Sequence, residues 1–539
     1  MLAPILMALF FQAPVATDST GPKPAILDGS VTHAASKSTI RKAKVSLRGV
    51  DNDSQTTVET GEDGKYVFKD VKPGRYRVTA EKPGYETTAH GARKVGDAGQ
   101  VLAVMPGQEY HSVDVGLVKH GAIAGKILDA DNEPVAKALV MALTRQYYQG
   151  GRRAMLPKGT VPVISSDLGE YRIGQLPPGS YIICAIPDKF YQPVPFAKES
   201  KPGVEDAGIS TCFPSVTQMS EASALEIKDS TEIPGIDVRL AKSKTVTVHG
   251  QITGVPPSAG TVTILNMNTK TSGPMGNALH PRTLVSSADG KFEFKNVPPG
   301  SYILHTLPTG LGNAPFVVKA AVEIGDQPVT NLSVPAFVPF QIKAKVDAEP
   351  GPELKLGSVR LILTGADEIT PALAMGTVNS DGEVVLANVI PGKHRLNIGG
   401  LPATHYVREI RIGDSAVDGD VVEVASADTK LAISIAMGKS QVSGVVQNEK
   451  GDPLPGAKVA LIPEPIRPFR LRVTSTDQNG IFQIGNVAPG EYQAVAMESA
   501  DTAAFEDEEY LKPIRGKLQR VKVEAEGTQS LKLKVVSRE

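Results

Sequence analysis

A short pattern that returns five times along these 539 residues constrains the fold more than any other feature of the chain. It reads DGKYVFKDVKPGRYRV from Asp63, DLGEYRIGQLPPGSYII from Asp167 and DGKFEFKNVPPGSYIL from Asp289. It returns as DGEVVLANVIPGKHRL from Asp381 and QNGIFQIGNVAPGEYQA from Gln478. Counted from the opening glycines Gly64, Gly169, Gly290, Gly382 and Gly480, apolar side chains stand two, four and seven residues on. A Pro-Gly pair then closes every copy at Gly74, Gly179, Gly300, Gly392 and Gly490, and two residues later come Tyr76, Tyr181, Tyr302, His394 and Tyr492. Apolar residues alternating with polar ones have the period of a strand that buries one face. The opening glycine supplies a turn with positive φ, and Pro-Gly suits a type II turn in which Gly takes the positive-φ corner. The tyrosine is placed to bury its ring while its hydroxyl bonds nearby backbone. Each copy therefore reads as strand, tight turn, strand, with its glycines and aromatic residues serving as scaffold.

Around each copy lie further strands. Upstream, Gln441-Val-Ser-Gly-Val-Val leads to Gly451-Asp-Pro-Leu-Pro-Gly-Ala-Lys-Val-Ala-Leu-Ile in the fifth unit, and Ala122 to Leu128 leads to Asn132 to Val140 in the second. Downstream, Val113 to Leu117, Ile236 to Leu240 and Leu531 to Val535 alternate again. Alternating strands joined by Pro/Gly turns read as hairpin-rich antiparallel sheet, and about seven strands in roughly 100 residues is the count of an immunoglobulin-like sandwich. The 52 Gly and 41 Pro fit such frequent turns. The expectation is an all-β tandem array of five Ig-like or transthyretin-like antiparallel β-sandwiches at 25–118, 119–242 (with long loop insertions), 243–337, 338–438 (divergent) and 439–539. A short helix is expected near 502–516, with Phe505, Tyr510 and Leu511 on one face. The apolar run Met1 to Phe11 reads as the core of a signal peptide ending at Ala16, followed by a linker over 17–24. No later apolar stretch is long enough for a membrane-spanning helix. Linkers as short as Val118-Lys-His-Gly121 and Met437-Gly-Lys-Ser440 predict a monomeric, elongated, semi-rigid rod.

The succession Gly-x-Val, Gly-Asp-Pro-Leu-Pro-Gly-Ala-Lys-Val, Asn-Gly-x-Phe and Pro-Gly-x-Tyr in the fifth unit resembles the carboxypeptidase regulatory-like domain. The resemblance extends through the other units over residues 25 to 539, with the fourth unit joined by spacing alone. It implies a transthyretin-like sandwich, grouped with carbohydrate-binding-like folds, and an accessory role without chemistry of its own.

The chemistry-bearing residues agree with that implication. A zinc carboxypeptidase needs a His-x-x-Glu pair and a distant His, yet none of the nine histidines has Glu three residues on. His33, His90, His111, His120, His249, His280, His305, His394 and His405 are scattered and read as surface or edge residues. No HExxH, Gly-x-Ser-x-Gly or Walker-type loop occurs, so no catalytic residue, metal or cofactor is expected. Lys44 and Lys458 lack a recurring last-strand Asn for a self-made amide cross-link. The balance of 57 basic and 58 acidic side chains, with no basic run, argues against nucleic acid. Cys184 and Cys212, the only cysteines, are expected to bridge if the chain is exported. Ligand contacts belong on variable loops. The strongest candidate is Arg145-Gln-Tyr-Tyr-Gln-Gly-Gly-Arg-Arg, where Tyr147 and Tyr148 with Arg152 and Arg153 are placed to stack on a sugar or peptide, joined by Phe190 and Tyr191. The functional expectation is an exported, non-enzymatic scaffold that engages proteins or glycans of the cell envelope or surroundings, whether periplasmic, surface-bound or secreted. The alternative is a carbohydrate-binding protein using loops of the second unit.

Overall fold

In the computed structural model the described residues are 23–52, 54–148, 151–191, 200–255, 263–269, 282–285, 290–306, 316–351, 353–366 and 373–537. The expected signal peptide and most of the linker lie outside them. The chain is all-β, with its strands stacked in pairs of sheets over separate apolar cores. The fifth unit shows the plan. One sheet has the order Ile481–Val487, Lys439–Gln447, Glu526–Lys534; the other runs Arg472–Ser475, Lys458–Pro463, Gly490–Met497, Gln519–Val523. Alternate side chains from both layers, Val442, Val446, Val459, Leu461, Phe482, Ile484, Tyr492 and Ala494 among them, fill the space between. Equivalent cores surround Leu27 and Phe68, Ile123 and Ile173, Val248 and Phe294, and Ile342 and Leu386.

Two features depart from a wholly antiparallel reading. In every unit the first strand pairs in parallel with the last, as Lys439–Gln447 does with Glu526–Lys534 over nine consecutive positions and as Ala344–Ala348 does with Leu431–Ile435. Chain alternation sets the hydrophobic faces but not the sense in which a distant strand arrives. In the third unit the two layers merge, because Val317–Ile324 pairs with both Gly300–Thr306 and Val329–Phe337. That sheet also receives Val204–Gly208, whose Val204 faces Val246. The long excursion of the second unit thus crosses the boundary placed after residue 242.

The +2, +4, +7 spacing has a structural cause. In all five units the ladder between the first strand and the repeat strand skips once: Leu27 faces Phe68 but Ala25 faces Val71, and Val442 faces Ile484 but Ser440 faces Val487. Two residues oppose one, which is a β-bulge. The residue just before the +7 position carries the left-handed backbone every time, with φ of 56° at Asp70, 57° at Gln175, 57° at Asn296, 62° at Asn388 and 57° at Asn486. The extra residue reverses the alternation, so the next inward side chain falls at +7 rather than +6. The Pro-Gly corner is not the expected type II turn. Gly74, Gly392 and Gly490 have φ of 157°, 135° and 150°, far from the roughly +80° of that turn, and Gly179 and Gly300 are not at positive φ. The bulge has already redirected the strand, so the left-handed residue lies before the +7 position and the corner glycine takes a more extended backbone. The opening turns are as anticipated, with φ between 67° at Gly290 and 77° at Gly382.

After the corner each ring enters the core and ties back to the carbonyl four residues earlier. Tyr76 donates to Lys72 at 2.9 Å, Tyr181 to Pro177 at 2.5 Å, Tyr302 to Pro298 at 2.7 Å and Tyr492 to Ala488 at 2.9 Å. In the divergent fourth unit His394 does the same through Nε2, 2.8 Å from the Ile390 carbonyl. Residues 502–516 form three short turns rather than one helix: Thr502–Glu506, Glu508–Leu511 and Lys512–Lys517. Asp507 interrupts the run by capping the middle turn through the amides of Glu509 and Tyr510, and Pro513 removes a helical donor. Phe505, Tyr510 and Leu511 still share one buried cluster.

The units do not stand in a line. The fifth packs on the first through a bridge between Val101 and Asp477, on the second through Tyr147 and Tyr510, and on the fourth through Arg470, which donates to the carbonyls of Val407 and Arg408. The rod expected from short linkers is therefore replaced by a folded-back arrangement. A one-residue linker fixes little, since a single residue can bend the path between rigid bodies.

The bulge is testable at Asn486, where Asn tolerates the left-handed region and a β-branched side chain does not. Asn486→Val is expected to destabilise the fifth unit by about 1–2 kcal/mol, whereas Asn486→Gly should change it by no more than about 0.5 kcal/mol. Hydrogen exchange of the amides in Gly490–Met497, read in the full chain, reports both values; equal effects would remove the strain argument.

Candidate functional site

The strand Leu139–Tyr148 turns back into Gly151–Met155, with Tyr147 paired to Arg152. The Arg152 guanidinium carbon sits 5.9 Å from the centre of the Tyr147 ring, within cation–π range. On another side Tyr147 meets Tyr510 edge to face, at 5.3 Å between centroids and 74° between planes. It packs against the cluster that includes Phe505, Leu511 and Ile514 of the fifth unit. Tyr147 is thus half-buried in a contact between units, with part of its ring already packed. A large ring gains more from burial against apolar neighbours than from standing in water, and the folded-back fifth unit supplies them. Arg152 is exposed and Arg153 half-buried. Tyr148 belongs to the same strand and Phe190 and Tyr191 to the turn Asp188–Tyr191, but these three side chains lie outside the description. Of the six candidate contact residues, the structure brings Tyr147 and Arg152 together.

Below the hairpin, Cys184 and Cys212 face each other across Gly179–Ile186 and Thr211–Cys212 and are joined by a disulfide with Cα atoms 4.0 Å apart. In the same unit a groove of about 640 Å³ is lined by Val163, Ile164, Glu170, Tyr171 and Arg172. Both of its cations are paired, and its Asp237 carboxylate takes a backbone amide. Lys126 lies 3.4 Å from Glu170, Arg172 donates to Glu232 at 2.8 Å, and Asp237 accepts from the Lys126 amide at 2.8 Å. The hydrogen bond between Arg172 and Glu232 raises the first pKa and lowers the second. Ile164 in its wall is apolar and 58% exposed.

The histidines divide differently from the surface assignment given them. His249, His305, His394 and His405 are buried. His33, at the end of an inner strand, lies 3.2 Å from Asp229, and the exposed His111 lies 2.6 Å from Asp28, whose hydrogen bond raises the His111 pKa. His280 lies outside the described residues. Among those residues no group of three metal-capable side chains comes together.

The most unusual electrostatic site went unnoticed in the sequence. Lys44 and Lys458 occupy the same place in the first and fifth units, one residue after an alanine whose amide bonds a threonine hydroxyl. Lys44 is exposed and pairs with Glu81 at 2.7 Å. Lys458 is buried, because the first unit covers it, and its Nζ lies 3.3 Å from an almost fully buried carboxylate, Asp97. Burial lowers the Lys458 pKa, Asp97 opposes that shift, and Arg77 adds to it. Arg77 is itself lowered by burial and by Arg75, with Asp97 opposing. Around this core, Arg93 donates to the Pro455 carbonyl at 2.8 Å and lies 3.7 Å from Glu498. Gln478 makes a two-point contact with the Ala103 backbone, accepting and donating at 3.2 Å each. Arg75 donates to the Gln483 carbonyl at 3.3 Å. Nothing in local periodicity joins residues some 375 positions apart. The one available signal was a lysine in a strand whose neighbours are all apolar.

Residues 26–115 and 441–536 match the family described as Carboxypeptidase regulatory-like domain, so the first and fifth units are domains of that kind. No curated protein matches the chain. Among solved structures, the Bacillus anthracis TIE protein is 11% identical, with 74% of this chain and 69% of that one covered at a TM-score of 0.15. A streptococcal ancillary pilin is 12% identical, with 54% and 99% covered at 0.19. GBS52, the minor pilin of Streptococcus agalactiae, is 11% identical, with 40% and 96% covered at 0.22.

One buried histidine gives a pH prediction. Burial lowers the His305 pKa from 6.5 to about 4. Between those values the unfolded chain binds a proton that the folded chain does not, so this contribution is complete above about pH 6.5 and is lost as pH falls toward 4. The loss should reach up to about 3 kcal/mol. Hydrogen exchange of the amides in Gly300–Thr306, followed from pH 7.5 to 4 after correction for intrinsic rates, should show a slope that His305→Gln flattens. The same slope in both proteins would assign it to another group.

Proposed function

We propose that this chain, with carboxypeptidase regulatory-like domains at its first and fifth units, is an exported, non-enzymatic scaffold of five sandwich units. In this reading it acts in the periplasm, at the cell surface or beyond it, by presenting surfaces to proteins of the envelope or its surroundings. One observation carries the reading: the residues that recur are spent on the fold itself. The opening glycines make turns, the residue before +7 makes the bulge, and the tyrosines or His394 tie the corner to a carbonyl. What varies between units is the loops, which is where binding groups accumulate on a fixed scaffold. Export is supported by the disulfide between Cys184 and Cys212, since such bonds persist in oxidising compartments. The glycan-binding alternative is weakened, because its central ring, Tyr147, already packs on Tyr510.

Fractionation of cells that make the full chain, combined with thiol labelling, tests the reading. The expected result is protein in the periplasm, envelope or medium that takes up no alkylating agent until it is unfolded and reduced. Recovery in the cytoplasm alone with two reactive thiols would overturn export. Turnover of a peptide or glycoside substrate by the purified chain would overturn the non-enzymatic part.

A further inference from the structure

We infer that the first and fifth units form a releasable clasp, closed by the Lys458–Asp97 pair and opened by the first unit swinging about His120. The inference goes beyond the scaffold reading, because it assigns the chain two conformations. Three observations carry it.

The contact is held mainly by polar groups, beside a backbone bridge from the buried Val101 to Asp477. The Lys458–Asp97 pair, Arg93 on the Pro455 carbonyl, Arg75 on the Gln483 carbonyl and Gln478 on the Ala103 backbone hold it. Among the described residues, no apolar cluster contains side chains from both units. Contacts between domains that are polar in this way permit relative motion, because water can replace each bond. The second and fifth units differ here: Tyr147 enters the fifth unit's apolar cluster, so that contact stays when the first unit leaves.

The central pair is costly to bury. Two desolvated charges 3.3 Å apart gain attraction only while both are present. Arg77 stands beside Asp97, and its Nε is buried without a hydrogen-bond partner. Asp97 is therefore the buried carboxylate that offsets Lys458 and Arg77, and its removal leaves those two cations facing each other.

A hinge is available. The first unit ends with the strand Val115–Lys119 and the second begins with Gly121–Leu128, so only His120, whose amide and ring bond Gly84 and Glu86 of the first unit, separates the two strands. Polar contacts join those two units as well: the Lys119 amide on Asp229 at 2.8 Å, the Ser230 amide on the Lys119 carbonyl at 3.2 Å, and His33 beside Asp229 at 3.2 Å. Tethering through the intervening units keeps the ends at high effective concentration, which lets a contact of modest strength stay closed.

The test reads opening directly in the full chain. The Ala103 amide is bonded to the Gln478 side chain, so its exchange measures the clasp, whereas the amides of Gly74–Glu81 measure unfolding of the first unit. In the wild type, Ala103 should exchange at least about tenfold faster than the slowest amides of Gly74–Glu81. Equal rates would mean that the contact opens only when the unit unfolds, which overturns the inference without any variant. Asp97→Lys should raise Ala103 exchange by at least about tenfold, leave Gly74–Glu81 within about threefold, and increase the maximum dimension seen by small-angle scattering. Pairing it with Lys458→Asp should restore both readouts. Unchanged exchange and scattering in a folded Asp97→Lys chain would equally overturn it.

Discussion

A strand that buries every second side chain can turn a corner only by losing step with its neighbour somewhere. Each unit here loses step at one residue, held in the left-handed region at Asp70, Gln175, Asn296, Asn388 or Asn486. Everything nearby depends on that displacement. It moves the next inward residue to +7, angles the strand toward the opposite layer, and delivers the following ring to a point where it reaches the carbonyl four residues back. Asn and Asp at four of the five positions are the residues that bear this backbone most readily. Gln175 shows that the surrounding ladder can impose it on a less suited side chain.

The sandwich class was legible because it rests on local periodicity and turn chemistry, which five copies reinforce. The bulge was present in the same numbers, since +2 and +4 followed by +7 cannot lie on one face of an unbroken strand. It went unread because Pro-Gly offered a more familiar site for the left-handed residue. His394 also became intelligible only in three dimensions, where its Nε2 takes the place of a tyrosine hydroxyl. Arrangement between units was not legible at all. Lys44 and Lys458 share a sequence setting and have opposite environments, because the difference lies in what covers them. The packing of Tyr147 was hidden for the same reason: a tyrosine on a hairpin tip looks available until its neighbour is known.

The two kinds of contact made by the fifth unit divide its labour. Toward the second unit it offers rings and aliphatic side chains, whose burial is favourable whatever the exact geometry. Toward the first it offers carbonyls, an amide side chain and one lysine, whose bonds are worth little more than those water would make. Toward the fourth it sends Arg470, bonded to two carbonyls of Val407 and Arg408. A single sandwich thus carries one face that favours permanence and another that favours specificity.

The parallel pairing of first and last strands has a mechanical consequence. When the ends of such a unit are pulled apart, the two strands slide lengthwise past one another, as Lys439–Gln447 would along Glu526–Lys534. All the rungs between them then share the load at once, whereas in a hairpin pulled from its open end they break one after another. The same geometry recurs in each of the five units. Tension along the chain would meet five shear-loaded ladders in series, a build suited to resisting extension.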